Sequence, residues 1–441
     1  MTGSKKNTRH TASNHTSWIQ KFESSLNGQP LRALRQQAIA DFDRLGYPTT
    51  ADEAWKSVNP SALIRTNFEP AAPATLADAE LEPFIYPDLQ GIRLVFVNGH
   101  YAPEHASDIP EGITIANLAD VYDHPLVKAH LGKLAQTTDL AFTALNTAFM
   151  RDGVFIHVQR NVTVEAPVHI LFITTASEIP TISHPRNLII ADENSQLSLV
   201  ETYVGTGTET YFTNAVTEII ARDNASVNCI RLELQGTAGL HVANFQAQLG
   251  RSSRMTFHDF TFGGAFVRND VSAYLRGEGS EATVNGLYAL EGSQQVDNYT
   301  LLEHAEPHCP SHELYKGILG GSSRAIFRGK IHVHQKAQHT DAYQQNENIL
   351  LSDNARVNTK PQLEIYADEV KCSHGATIGQ LDENALFYLQ ARGIPKTEAK
   401  QILLRAFADD IIGRVTLAPV RSHLSDLIDT RLEHIDAKDI A

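Results

Sequence analysis

The chain is 441 residues long, and its 42% hydrophobic and 20% charged residues are typical of a folded globular protein of one to three domains. It carries 51 acidic and 37 basic side chains, a formal net charge of −14, which argues against a nucleic-acid-binding protein with a concentrated basic face. No apolar run approaches the roughly 18 residues that cross a bilayer, so no membrane partner is expected.

The first seventeen residues are rich in Ser, Thr, Asn and His, with Lys5, Lys6 and Arg9 among them. They contain no apolar stretch, so they do not have the pattern of a secretory signal. Because Asp and Glu are missing there, a short organellar transit segment stays open as an alternative. The stretch lacks amphipathic periodicity, which favours a disordered tail over residues 1–17.

Three cysteines, Cys229, Cys309 and Cys372, are far apart in the chain and form no C-x-x-C pair. Their odd number and wide spacing argue against a disulfide framework and against a self-contained zinc or iron–sulfur site built from thiolates. The sequence therefore favours a reducing, cytoplasmic location.

The region over residues 18–150 is predicted to be mostly helical. Apolar residues recur at helical spacing from residue 31 to 45, and the Gly-Tyr-Pro-Thr stretch at 46–49 ends that helix. A strand is predicted at Ile92–Val97 and a further helix over residues 140–150.

The sequence changes character over residues 151–380, where short runs rich in Val, Ile, Thr, Tyr and Phe alternate with Gly, Asn, Asp and Ser turns. A unit of one small, one polar and one apolar residue recurs there at intervals typical of a solenoid. Coils of a parallel β-helix would stack such small residues at the strand spacing of about 4.8 Å. The alternative is a β-sandwich, but its hairpin signal occurs only once, at Asn285-Gly286. The units begin at Ser195, Ala225, Ser253, Ala282, Ser323 and Ala355.

Helical patterns return over residues 381–441. Asp382 and Glu383 suit the first turn of one helix, and Gly393 and Pro395 end it. Two more helices are predicted over about 396–414 and 417–434. Terminal helices either cover the open sheet edges of a solenoid or leave an edge free to pair with a partner subunit. The apolar stripe of the second helix is predicted to contain Ala399, Ile402, Leu403, Ala406, Phe407 and Ile411.

Motifs for nucleotide hydrolysis and for common hydrolase chemistry are missing from the sequence. Gly329 and Lys330 lack the upstream glycine of a phosphate-binding loop. Gly205 and Gly207 begin like a dinucleotide fingerprint but have no third glycine. Neither a G-x-S-x-G elbow nor an H-E-x-x-H helix is present. We therefore expect a non-catalytic chain that depends on a partner for any ATP hydrolysis.

The segment Cys372-Ser373-His374 is the clearest candidate for metal chemistry. On a strand, residues two apart lie on the same side, about 6.5 to 7 Å apart at the backbone. A thiolate and an imidazole both bind iron or zinc, but two ligands cannot hold a cluster alone. Any metal at Cys372 and His374 would need ligands from a substrate or another chain. The alternative is a buried cysteine beside a hydrogen-bonded histidine.

Two further groups of metal-ligand residue types are predicted to be structural. The first contains His304, His308, Cys309 and His312, whose irregular spacing and neighbouring proline suit a loop. The second contains His332, His334 and His339, and histidines on alternate strand positions commonly face solvent.

The stretch over residues 351–379, which includes Cys372 and His374, resembles the signature segment of the SufD branch of the SufB/SufD family. The segments around Glu303–Cys309, at Gly329-Lys330-Ile331 and, more loosely, at 381–389 are similar to the same branch. Weaker similarity at 48–55 and 144–149 extends the resemblance over most of the chain.

The resemblance implies a right-handed parallel β-helix between an N-terminal and a C-terminal helical region. It further implies a scaffold subunit that pairs with SufB and whose C-terminal region binds the ATPase SufC. Such complexes assemble a transient iron–sulfur cluster at the SufB–SufD interface, with sulfur from a cysteine desulfurase system. The resemblance assigns His374, and with less support Cys372, to that interface.

Several alternatives stay open at this point. A β-helical carbohydrate-active enzyme would normally be secreted and use clustered acidic residues, which this sequence does not display. A purely structural subunit, in which Cys372 and His374 only pack, is a second alternative. Reduced flavin in the assembled complex and a homodimer of the isolated chain are also open.

Overall fold

The structure, a computed structural model, describes residues 15–24, 30–86 and 88–439, with side chains as far as Ile435. Residues 1–14 of the predicted tail lie outside the described ranges. Residues 15–17, which the sequence assigned to the tail, are helical and continuous with residues 18–24. The helices are α1 (15–24), α2 (Arg32–Leu45), α3 (Ser61–Arg65), α4 (Asp78–Leu81), α5 (Pro125–His130), α6 (Ala141–Phe149), α7 (Glu383–Ala391), α8 (Lys396–Ile412) and α9 (Ala418–Asp439).

A parallel β-helix of about eight coils forms the centre of the chain and confirms the predicted fold class. Each coil contributes one strand to a 12-stranded sheet, sheet A, and one to a 10-stranded sheet, sheet B. The strands are β1 (Glu69–Pro70), β2 (Ile92–Val97), β3 (His100–Tyr101), β4 (Ile113–Asn117), β5 (Val154–Val158), β6 (Val168–Thr174), β7 (Thr181–Ser183), β8 (Arg186–Ala191), β9 (Gln196–Gly205), β10 (Tyr211–Ala221), β11 (Ser226–Leu234), β12 (Gly239–Leu249), β13 (Arg254–Thr261), β14 (Phe266–Leu275), β15 (Glu281–Leu290), β16 (Gln295–His304), β17 (Pro310–Leu319), β18 (Arg324–Val333), β19 (Asp341–Leu350), β20 (Arg356–Thr359), β21 (Gln362–Ile365) and β22 (Lys371–Gly379).

The order within each sheet follows alternate strands of the chain. Sheet A runs β20-β18-β16-β14-β12-β10-β8-β5-β4, and β1, β7 and β21 pair beside this path. Sheet B runs β22-β19-β17-β15-β13-β11-β9-β6-β2-β3. The register is continuous, so residues at equivalent positions form columns along the axis of the β-helix.

Small buried residues at the corners explain the repeat that the sequence displays. Ser195, Ala225 and Ser253 precede β9, β11 and β13, and each follows a residue with positive φ that makes the turn. Their equivalent before β15 is Ser280, so the predicted start at Ala282 is two residues late. Ser323 lies before β18, a strand of sheet A, and Ala355 likewise precedes β20. The long interval between the predicted starts at Ala282 and Ser323 therefore arises because these two starts belong to different corners of the coil.

The N-terminal helices pack on the outer face of sheet A. Phe142 of α6 contacts Phe212 of β10, with ring centroids 5.8 Å apart. The amide of Asn146 donates to the carbonyl oxygens of Pro185 and Asn214, at 2.9 and 2.8 Å, which ties α6 to the sheet backbone. The predicted helix at 31–45 and strand at Ile92–Val97 are confirmed.

Helices α8 and α9 pack on the outer face of sheet B. Their buried apolar side chains join those of Ile230, Phe260 and Leu287 in one cluster. The predicted stripe of α8 is partly wrong, because α8 is apolar on more than one side and the sheet selects which side is buried. Ile402 is 41% exposed, whereas the buried side chains of α8 are Ala399, Leu404, Ala408, Ile411 and Ile412.

The last coil of the β-helix is uncovered within the described part of the chain. Strand β22 pairs with β19 alone, and every residue of β22 except Cys372 is exposed. Strands β20 and β21 likewise pair only with β18. Of the two outcomes that the sequence left open for the sheet edges, the structure has a free edge at this end.

Candidate functional site at the open end of the β-helix

Cys372 and His374 lie together on β22, as strand alternation predicts. Cys372 pairs in register with Ala342 of β19, and His374 pairs with Gln344. Both partners are buried, so the two columns lie on the inner face of sheet B. The site therefore consists of two donor residues at the last position of interior columns, beside a free sheet edge.

Cys372 is partly buried against the apolar core of the β-helix. Burial is the main cause that raises the pKa of its thiol, and Asp341 adds to the effect, while a backbone hydrogen bond from Ala342 opposes it. The thiol is therefore protonated at neutral pH in the isolated chain and must lose its proton to bind a metal.

The column that ends at His374 changes from apolar to polar over its last three positions. The six positions from Ile92 to Val284 carry hydrophobic side chains or cysteine, all buried. Glu313 and Gln344 follow, 3% and 2% exposed, and then His374. We call this set the His374 column; it contains Ile92, Val168, Leu199, Cys229, Phe257, Val284, Glu313, Gln344 and His374.

Glu313 is a buried carboxyl group for which the described residues provide no ion-pair partner. Burial raises its pKa to about 7, and contacts with Thr300 and Gln344 offset part of this rise. The amide of Gln344 donates to Glu313 Oε2 at 2.7 Å. A carboxyl group therefore lies two coils beneath His374 and is half protonated near neutral pH.

We expect the stability of the native chain to fall as the pH rises from about 4.5 to 7 because of Glu313. The folded-state pKa lies above the ordinary value of 4.5, so the folded chain binds more protons than the unfolded chain in this window, and the contribution is lost above pH 7. The effect amounts to about 3 kcal/mol at most.

Glu313→Gln removes this titration. The difference in stability between the variant and the native chain should therefore shift in favour of the variant as the pH rises from 5 to 8. The measurement is the urea midpoint of both chains at the two pH values. Identical pH dependence of the native chain and the variant would contradict the buried-acid interpretation.

A second polar group continues along the inner face of β19 beside the His374 column. The hydroxyl of Tyr288 donates to Asn348 Oδ1 at 2.5 Å, and the amide of Asn348 donates to Asn346 Oδ1 at 2.8 Å. Asn346 also donates to the carbonyl oxygen of Tyr315 at 3.2 Å. The interior beneath the open end is thus polar and hydrogen-bonded on the side of sheet B.

The group His304, His308, Cys309 and His312 does not converge. His304 is buried and its Nε2 lies 2.9 Å from the hydroxyl of Ser311, while Cys309 is buried at a corner. His308 stacks on His339 in the turns, with ring centroids 4.8 Å apart. His312 is exposed and stacks on Tyr343. These side chains have separate structural contacts.

His332 and His334 lie on the outer face of sheet A, and each has an acidic partner. His332 Nδ1 is 3.1 Å from Glu364 Oε2, and His334 Nε2 is 2.8 Å from Glu303 Oε1. His339 Nε2 lies 3.5 Å from Glu369 Oε2. Across the described residues, no group of three or more His, Cys, Asp or Glu side chains could hold a metal ion.

Cys372 and His374 are consequently an incomplete donor set. A thiol and an imidazole suit iron or an iron–sulfur cluster in ligand type, but their number is too small for either. Any metal or cluster bound here would need further donors from outside this pair.

Sequence reasoning missed Glu313 and Gln344. The signal was present, because Gln344 precedes His374 by thirty residues and Glu313 precedes Gln344 by thirty-one, the length of one coil. Using it requires the register of each coil, which varies with turn length.

Comparisons with known proteins place the chain in a family. Residues 172–407 match the model described as SUF system FeS cluster assembly, SufBD core domain, and residues 14–170 match the SufBD protein N-terminal region.

None of the described helices is long and apolar enough to cross a membrane.

The relatives agree with the family models. An iron–sulfur cluster assembly SufBD family protein of Synechocystis is 33% identical over 410 residues, 90% of each chain. The iron–sulfur cluster assembly protein SufD of Escherichia coli is 32% identical over 400 residues, 89% of this chain and 91% of that protein. SufD of Bacillus subtilis is 27% identical over 293 residues, 66% and 67% of the two chains. The chain therefore belongs to the SufBD family of the SUF iron–sulfur cluster assembly system.

Proposed function

We propose that this chain is a non-catalytic scaffold subunit of a SUF assembly complex and that it builds a nascent iron–sulfur cluster together with SufB. The observation that carries the proposal is the free edge of β22, where Cys372 and His374 occupy the last positions of two interior columns. Family membership supports the general role in cluster assembly.

SufB is the proposed partner at the open end of the β-helix. Exposed backbone N–H and C=O groups on a sheet edge recruit another strand, and the uncovered edges of β22, β20 and β21 offer such groups in both sheets. Pairing there would bring donors from SufB next to Cys372 and His374. The cluster, a transient substrate of the complex, would then be held by both chains.

SufC is the proposed partner at the C-terminal helices and would hydrolyse the ATP. Phe387 and Tyr388 of α7 are 72% and 56% exposed, and Ile402 of α8 is 41% exposed. Helix α7 has no fully buried residue, and Phe387 and Tyr388 are its most exposed large apolar side chains. We call Phe387, Tyr388 and Ile402 the α7–α8 patch. Exposed aromatic side chains of this kind are typical anchors of protein interfaces.

Other parts of the proposal rest on the family alone. Sulfur would come from a cysteine desulfurase system, the location would be the cytoplasm, and reduced flavin would bind the assembled complex. The isolated chain would form a homodimer through the same free edges that we assign to SufB.

The test is anaerobic co-expression of SufB and SufC with and without this chain, followed by iron and acid-labile sulfide analysis of the purified assemblies. We expect a three-component complex whose cluster content requires this chain. If the chain does not co-purify with SufB and SufC, the scaffold proposal is wrong.

A further inference from the structure

A polar pair lies directly beneath His374 in the interior of the β-helix. Gln344 is the register neighbour of His374 one coil below, and Glu313 is the neighbour of Gln344. In parallel strands, side chains of one column are about 4.8 Å apart, which is close enough for amide and imidazole groups to hydrogen-bond along the column. The five hydrophobic side chains and one cysteine deeper in the column offer no such partner.

The hydrogen bond to Glu313 fixes the orientation of the Gln344 amide. Its Nε2 donates to Glu313 Oε2 at 2.7 Å, whereas its Oε1 is buried and has no partner among the described residues. A carboxyl oxygen accepts this bond in either protonation state, so the amide keeps its orientation through the titration of Glu313. The oxygen of Gln344 is therefore an unused acceptor, one coil below the imidazole of His374.

The opposite wall of the β-helix leaves room for this amide. Gly329 of β18 lies against it, and a Cβ atom at that position would be 2.2 Å from Gln344 Nε2. A side chain at position 329 would displace the amide of Gln344 from this position, so the glycine leaves free the space that the amide occupies.

We propose that Gln344, oriented by Glu313, is a positioning residue for His374. Its carbonyl oxygen has no partner among the described residues and is available to an N–H of the His374 imidazole, and a hydrogen bond between them would select one tautomer and turn the lone pair of the other ring nitrogen toward the free edge. Histidine ligands of metals commonly donate their second nitrogen in this way. The role of His374 as a ligand rests on the proposed function. The proposed hydrogen bond between His374 and Gln344 does not depend on that function.

The direct test is the tautomer of His374 in the full-length chain labelled with ¹⁵N-histidine, measured by NMR above pH 8, with His374→Ala identifying the signal. We expect one tautomer in the native chain and a mixture in Gln344→Met. Glu313→Leu, which frees the amide to rotate, should give the same mixture, whereas Glu313→Gln should retain the native tautomer. Asn346→Leu, a buried amide of the same strand outside the column, is the matched control and should change nothing at His374.

A second readout separates positioning from structural damage. In the complex with SufB and SufC, Gln344→Met alone should lower cluster content about tenfold. When it is combined with His374→Ala, it should cause no loss beyond that of His374→Ala alone. An unchanged tautomer in Gln344→Met, or an equal loss in both backgrounds, would overturn the proposal. If the tautomer changes while His374→Ala leaves cluster content intact, positioning stands and the shared cluster site of the proposed function fails.

Discussion

Replacing Ala376 by proline is expected to weaken binding to SufB at least tenfold while leaving the isolated chain folded. The backbone N–H of Lys371 donates to the carbonyl oxygen of Thr340 in the neighbouring coil. The backbone N–H groups of the odd-numbered residues of β22 therefore point toward β19. Even-numbered residues, Ala376 among them, direct their N–H groups to the free edge. Proline is tolerated on that side of an edge strand but removes the donor that a partner strand needs.

The expected magnitude follows from the hydrogen bond. A partner carbonyl left without a donor costs about 1 to 3 kcal/mol, and the proline ring adds a steric conflict with the approaching strand. The measurement is the dissociation constant for SufB, with Ala376→Ser as the control that keeps the N–H. Equal affinity of the proline and serine variants would mean that the partner does not add a strand to β22.

Replacing Phe387 by aspartate is expected to abolish detectable SufC binding and to leave SufB binding unchanged. Phe387 is 72% exposed in this chain, so the substitution removes little packing, but it places a charge on the most exposed side chain of the α7–α8 patch. Aromatic anchors of interfaces contribute 2 kcal/mol or more, which corresponds to about 30-fold in affinity, and a buried unpaired carboxylate adds to the loss.

The control for this prediction is Ile179→Asp, because Ile179 is 54% exposed and lies outside the α7–α8 patch. The measurement is co-purification of SufC and of SufB with each variant. Retention of SufC by Phe387→Asp would show that the ATPase binds elsewhere, and loss of SufB together with SufC would indicate a damaged fold.

The β-helix could be predicted from the sequence because its local chemistry repeats. Each coil needs a small residue where the chain turns inward, so Ser195, Ala225 and Ser253 recur before their strands. Alternation along one strand was also sufficient to place Cys372 and His374 on the same face. These inferences depend on neighbours within a few residues or on a period that the chain repeats.

The rest of the site depends on contacts that the sequence does not encode locally. Gln344 lies beneath His374 because of the register between two coils, and turn lengths shift that register from coil to coil. The buried side of α8 was mispredicted because sheet B, rather than the pattern of α8 itself, selects Leu404 and Ala408 over Ile402 and Ala406. The free edge of β22 likewise results from α8 and α9 packing on the outer face of sheet B instead of covering the last coil.

The most direct test of the shared site is iron and acid-labile sulfide in the complex purified anaerobically with SufB and SufC, comparing the native chain with His374→Ala. The control is His334→Ala, since His334 is partly exposed on the outer face of sheet A and pairs with Glu303. We predict that all three complexes assemble, and that cluster content falls about tenfold in His374→Ala alone. Unchanged cluster content in an intact His374→Ala complex would contradict the account and leave this chain a scaffold by shape only.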